Sequence, residues 1–462
     1  MPIDGPTPER WRLPTPLSLR RRRRRWRRRR LGATTALSCC LAGLLTIGFT
    51  QSCRHSTSSR PVWTPQASPL PEASDELRVR IRQRAERVRF SGPDELIVTP
   101  LSRRSAVQTL RGPLEIALSD DVYLVRAGGG VTRTLHGAGP LRIEAVGAAP
   151  IELDGAPYPG RFELHPTPRI SPGHFDVIER VSLETYLPGV IARELYAGWS
   201  PTTFAAQAVA ARTYALHERE RRARVGAHFD LESDERDQVY GGLSANPRAE
   251  EAVRRTRGMV LRHEGRILRA YYSSTCGGRP GAAADTWPTG PGFEFNLDAP
   301  IQAHPRPCPC DFSPVHRWTV SRDRSELVDR FRAYGTSSGL AIRAIESLGR
   351  IEAVRTNAAD RPAAYRVYDR EGRWWPLSSE QLRLACNHNG VSGVGPVTPD
   401  SRVRSGDLVA EIEGGVVRLQ GRGFGHGVGM CQFGAEGMAR AGAKWEEILA
   451  HFYPGAVLSR VD

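Results

Sequence analysis

The chain has 462 residues, enough for two or three domains with a substantial core. Its formal net charge of +15 would suit a nucleic-acid binder, but 12 arginines among the first 30 residues, set against Asp4 and Glu9, account for +10 and leave +5 for the other 432. So small a remainder argues against a basic nucleic-acid surface on the folded part, and with lysine occurring once, at Lys444, the arginines reflect coding preference more than recognition.

Arg10, Arg12, Arg20 to Arg25 and Arg27 to Arg30 precede an uncharged 19-residue stretch, Leu31 to Phe49. A positive segment before an apolar one is a membrane-targeting arrangement that leaves the arginines in the cytoplasm and exports the remainder of the chain. Gly, Ala, Thr and Ser are common in the stretch, so cleavage and retention as an anchor both stay open. The Arg-Arg pairs also suit a twin-arginine signal, while Cys53 follows Thr-Gln-Ser, a poor lipoprotein cleavage site. Residues 1–53 are read as this targeting segment, and the protein as exported to the cell envelope, membrane-anchored or secreted.

Residues 54–90 read as a linker. Ser, Thr and Pro dominate it up to residue 74, and the arginine-rich run from Glu76 to Phe90 predicts a short exposed helix. The folded region is placed at 91–462. From about 95 to 184, short runs broken by Gly and Pro (ELIVTPL, VYLVRAGGG, LRIEAVG, FDVIERVSLE) predict a small β-rich unit. From about 185 to 462 helices and strands mix. Ser200, with Pro201 at the first helical position, opens an alanine-rich helix whose Phe204, Ala208, Ala211 and Ala215 share a stripe. Further helices are predicted over Pro247 to Gly258, Glu326 to Tyr334, Ser378 to Leu384 and Trp445 to Tyr453, and a hairpin bends at His263 to Arg266. The fold class is α+β, a β-rich unit joined to a mixed helix/strand catalytic domain behind a membrane-targeting segment.

Glycine takes every second position from Gly421 to Gly429, with His426 inside the run and Cys431 and Gln432 just after it. As an extended strand this run would present one face of bare backbone to a bulky ligand. The G-x-G-x-x-G spacing fails in every frame, so it is not a phosphate loop. Upstream, Glu194 stands among Ile191, Ala192, Leu195, Tyr196 and Trp199. A carboxyl in apolar surroundings is pushed toward its neutral form, which suits a general acid; an ordinary glutamate at a helix end is the alternative. Cys308 and Cys310, with His304 four residues before, could hold zinc together with Cys276. An oxidising compartment favours disulfides or free buried thiols instead, and no metal is assigned.

The motifs YLPGVIARELYAGWSPTTFAAQAVAARTYAL, DQVYGG, YYSSTCGG, GRGFGHGVGMCQFGAEGMARAG and the tail W-x-x-I-L-x-H-F-Y-P-G occur in one order. In them the chain resembles the stage II sporulation protein D family, which also takes in an amidase-enhancing protein, over about residues 95–462. The resemblance implies a peptidoglycan lytic transglycosylase cleaving the MurNAc–GlcNAc bond with formation of 1,6-anhydro-MurNAc ends. It carries the family's single catalytic glutamate onto Glu194 through the pattern Tyr-Leu-x-Gly-Val-x-x-x-Glu. It also implies glycan contacts at Gln207, Arg212, Gln238, Tyr240, Ser273, Ser274, His426 and Gln432, with Tyr214 as either contact or core. No cofactor is implied. The expected partners are peptidoglycan strands, the membrane through the N-terminal segment, and a cell-wall amidase. The last marks the other reading, a non-catalytic wall-binding protein that enhances an N-acetylmuramoyl-L-alanine amidase. Two features depart from the family pattern: Cys431, where serine is frequent, and the Pro-Cys-Pro-Cys segment.

Overall fold

Alternating burial builds the first part of the fold. In Glu95–Pro100 Leu96 and Val98 turn inward, and in Leu114–Ser119 Leu114, Ile116 and Leu118 do the same. The computed structural model describes residues 66–67 and 75–461, apart from 102–106, 120–121, 137–138, 148 and 168–169; the predicted targeting segment lies outside the described residues. A seven-stranded sheet has the order 231–232, 76–85, 175–182, 161–166, 141–145, 95–100, 108–111. A six-stranded sheet runs 156–158, 151–153, 87–91, 114–119, 122–126, 132–136.

The helix expected from Glu76 to Phe90 is instead two strands, Glu76–Ala85 and Arg87–Ser91, one in each sheet. Leu77, Val79, Ile81, Val88 and Phe90 are buried at a period of two, which the intervening arginines obscure in the sequence. Those arginines are matched by acids on neighbouring segments. Arg78 pairs with Asp230 at 2.6 Å, and Arg80 with Asp176 at 2.7 Å and with Glu232. The packed fold therefore begins ahead of residue 91, inside the segment read as linker.

Two helices come after the last long strand. Helix α1 (Leu183–Glu194) is capped by Ser182, and α2 (Pro201–Arg224) by Ser200 with Pro201 in its first turn. Most of α2 is buried on every side, from Thr203 through Leu216, because its alanines let neighbouring elements approach closely. Around it lie α3 (Pro247–Arg255), the hairpin 259–263/266–267 and the C-terminal strand 457–460, with the short α4 (Ala283–Thr286) beyond. One continuous apolar core joins the β-rich part to this helical part, running through Phe90, Phe162, Tyr158, Tyr240 and Tyr186.

Residues 317–422 form a body with its own core around Trp318, Phe331, Tyr365, Leu377 and Leu419. It holds α5 (Arg324–Ser338), α6 (Ser379–Cys386) and two three-stranded antiparallel sheets. The chain then returns to the first core through the glycine run, α7 (Gln432–Arg440) and α8 (Trp445–Phe452). The helices expected over Glu326 to Tyr334 and Ser378 to Leu384 fall within it, but its separate core gathers only in three dimensions.

Candidate functional site

Helix α1 delivers Glu194 at its last position, and α7 delivers Gln432 at its first. The Gln432 amide donates from Nε2 to the Glu194 Oε2 at 2.9 Å, joining residues 238 positions apart. What sets this pairing is the docking of α7 on the start of α2. The carboxylate of Glu436 accepts from the Ser200 backbone N–H at 2.9 Å and from the Thr203 hydroxyl at 2.8 Å, where the positive end of the α2 dipole favours it. Half-buried Glu194 is pushed up to about 7, chiefly by loss of water around the carboxyl. The Gln432 hydrogen bond opposes that rise and the negative charge of Glu235 adds to it. Beside it, exposed Tyr196 packs 5.1 Å from Trp199 and 5.9 Å from Phe433, with Phe312 another 5.3 Å beyond Phe433.

The glycine run is not the regular strand that its alternation predicts. Only Gly421 belongs to the strand Val416–Arg422; Gly423, Gly425, Gly427 and Gly429 all take positive φ, between 71° and 92°. The result is a winding loop that only glycine follows without strain. It carries His426, whose Nδ1 accepts the Val428 N–H at 3.0 Å, leaving the proton on Nε2 in the neutral ring. That ring lies edge-on to Trp287 at 4.9 Å, and burial lowers its pKa to about 4, so it is neutral at pH 7. Glu380 and Arg383 of α6 act on it electrostatically, so the second body reaches this side of the site.

Several residues expected to touch glycan are inside the protein. Arg212 has no exposed surface and makes two 2.8 Å bonds to Glu184, with further bonds to carbonyls of Val253 and Met259. It ties α1, α2 and α3 together and is removed from glycan contact. Gln238, 1% exposed, accepts from the Tyr186 hydroxyl and donates to the Ala211 carbonyl and the Tyr272 hydroxyl. Tyr240 fills the core 4.6 Å from the Tyr186 ring, and Tyr214 bonds Asp237 and Arg269. Gln207 is fully buried, on the α2 stripe between Thr203 and Ala211, and neither of its amide atoms has a partner among the described residues. Ser273 is buried in the parallel pairing of 272–273 with 430–431, and the Ser274 carbonyl accepts the Phe433 N–H at 3.0 Å. Residues that the sequence does not single out are Tyr186, Tyr272, Glu235 and Trp287. Tyr186 and Tyr272 stand in the quoted motifs, but nothing local distinguishes Glu235 or Trp287.

Cys276, Cys308, Cys310 and Cys431 gather within 4.8 Å of one another, all as free thiols. The fourth member is thus Cys431; His304 stands apart, its Nε2 against the Ala299 carbonyl. No disulfide forms among them, contrary to one of the outcomes expected of an oxidising compartment.

A family model described as Stage II sporulation protein matches residues 171–263, which span α1, α2, α3 and the first strand of the hairpin. An uncharacterized protein of Brachyspira hyodysenteriae is 26% identical over 284 residues, covering 60% of this chain and 67% of the relative. The amidase enhancer of Bacillus subtilis is 26% identical over 314 residues, covering 59% of this chain and 40% of the relative, so the chain matches less than half of that protein's length. Stage II sporulation protein D of Bacillus amyloliquefaciens is 25% identical over 301 residues, covering 62% of this chain and 76% of the relative. The motif order, the matched helices and these relatives agree: residues 171–263 form a domain that matches the Stage II sporulation protein family.

Proposed function

We propose that this protein is a peptidoglycan lytic transglycosylase that cleaves the MurNAc–GlcNAc bond and leaves 1,6-anhydro-MurNAc ends. The observation that carries the reading is the Glu194 carboxyl: titrating at about 7, it can give a proton and take one back at neutral pH. As an acid it protonates the glycosidic oxygen while the C1–O bond breaks. As a carboxylate it then accepts the proton of the muramyl C6 hydroxyl as that oxygen bonds to C1. Attack within one sugar needs no captured water, and proximity replaces much of what a second carboxylate supplies in hydrolytic glycosidases. Gln432 holds the carboxyl in place, and the exposed Tyr196 ring, backed by buried Trp199 and Phe433, offers an apolar face to sugar C–H groups. Action on this polymer goes with an exported protein, as the arginine-rich start and the apolar stretch from Leu31 suggest.

A second reading, a glycan-binding protein that enhances a cell-wall amidase, draws on the relative named amidase enhancer. Mass spectrometry of glycan strands, with and without stem peptides, incubated with the full-length chain separates the two. Anhydro ends that vanish with Glu194→Gln support the transglycosylase. Reducing ends that depend on Glu235 would overturn it in favour of hydrolysis. Strand binding without cleavage would favour the enhancer.

A further inference from the structure

Four sulfur atoms from three distant segments meet at one point beside the Glu194 site. Cys276 comes shortly after the strand Tyr272–Ser273, Cys308 and Cys310 come from the Pro-Cys-Pro-Cys strap, and Cys431 ends the strand Met430–Cys431. All four lie within 4.8 Å of one another, and the Cys276 and Cys310 sulfurs are 3.8 Å apart. A zinc ion held by four thiolates at about 2.3 Å has tetrahedral edges of about 3.8 Å. A purely apolar packing centre has no need of four thiols.

Hydrogen-bond donors converge on the cluster. The Cys431 Sγ accepts backbone N–H groups from both Cys276 and Gly434, each at 3.3 Å, and sits at the N-cap of the nine-residue α7. The ring of His316 has its Nδ1 3.6 Å from the Cys310 sulfur. The strap is seated on α7 by glycines: a Cβ at Gly434 would run into the Cys308 sulfur, and one at Gly437 into the Pro309 carbonyl. A crevice lined by His304, Arg306, Phe452 and three of the cysteines leads from this centre to solvent.

We propose that Cys276, Cys308, Cys310 and Cys431 bind one zinc ion as a closed, four-thiolate structural site. Binding gives the four thiol protons to solvent and involves no redox change. With four protein ligands no position stays open for water or substrate, so the ion organises structure and does no bond-breaking. Its position has a direct consequence. Cys431 immediately precedes Gln432, so the metal fixes the first turn of α7 and with it the amide that holds Glu194. Through Cys310 it also anchors the strap from which the 317–422 body departs.

The full-length chain, purified without added metal, is analysed for zinc by mass spectrometry and for disulfides by non-reducing peptide mapping. About one zinc per chain is expected, released when a mercurial blocks the thiols. Cobalt exchanged into the site should give the thiolate-to-metal charge-transfer bands of a tetrahedral four-sulfur centre. Cys308→Ser, on the half-buried strap, should lose the zinc and the cobalt spectrum. If that variant does not fold, chelation of the wild-type protein supplies the same comparison, with a fall in Tm that returned zinc reverses. Disulfides among these four residues in the isolated protein would overturn the proposal. So would four free thiols with no zinc and a Tm unmoved by added zinc. None of these readouts depends on glycan cleavage.

Discussion

Replacing Gln432 by Leu removes the only side-chain donor seen at the Glu194 carboxylate among the described residues while keeping similar bulk. In the native protein the carboxyl titrates at about 7, so half the molecules carry the proton at neutrality; at the ordinary value of 4.5 about one in 300 would. The Gln432 N–H stabilises the charged form, and a hydrogen bond to a charged group is worth roughly 1.5–3 kcal/mol. Its loss should move the Glu194 midpoint upward by about 1–2 pH units at 1.36 kcal/mol per unit. The assay is a carbon-13 titration of the glutamate side-chain carboxyls, with Glu194→Gln used to assign the signal. The alkaline limb of any glycan-cleaving activity should move in the same direction. Because the folded value lies above the unfolded one, the stability this carboxyl contributes is complete below about 4.5 and lost as pH rises through about 7. Glu194→Gln should therefore melt higher than wild type above that pH. A wild-type midpoint below 5, or a Gln432→Leu midpoint that stays or falls, would refute the reasoning.

The same linkage applies more strongly to Glu179, buried in the strand Phe175–Ser182 and raised by desolvation to about 8 against the opposing Gly160 N–H bond. Stability should decline as pH rises from about 4.5 to about 8, by on the order of 4 kcal/mol in all, and Glu179→Gln should flatten that slope in denaturant titrations. Arg212→Met leaves Glu184 without its buried partner, so unfolding should show a loss of about 3–5 kcal/mol while residual folded protein still binds glycan. Intact stability with lost binding would restore Arg212 as a contact. Tyr196→Ala, at an exposed ring, should leave Tm within about 1 °C and weaken binding of glycan fragments by roughly 0.5–1.5 kcal/mol, measured calorimetrically.

Local chemistry is enough to place what depends on neighbours in the chain. Ser182 and Ser200 cap helices that begin where they should, and Pro201 sits in the first turn of α2. Glu194 is picked out by the family motif, since its apolar neighbours in sequence suit an ordinary glutamate at a helix end equally well. The strands from Glu76 to Ser91 are not legible, since an arginine at every other place reads as a solvated face until Asp176, Asp230 and Glu232 arrive from elsewhere. Burial of Arg212, Gln207 and Gln238 likewise comes only from the packing of α2 on all sides, which a motif cannot distinguish from ligand contact. The glycine run announces an unusual backbone, but whether it extends or winds is decided by its four positive-φ residues. The partnership of Gln432 with Glu194 and the meeting of four cysteines span up to 238 positions. No periodicity reaches that far: the sequence could group Cys276 with Cys308 and Cys310, but Cys431 in place of His304, and the bond from Gln432 to Glu194, come from the tertiary fold.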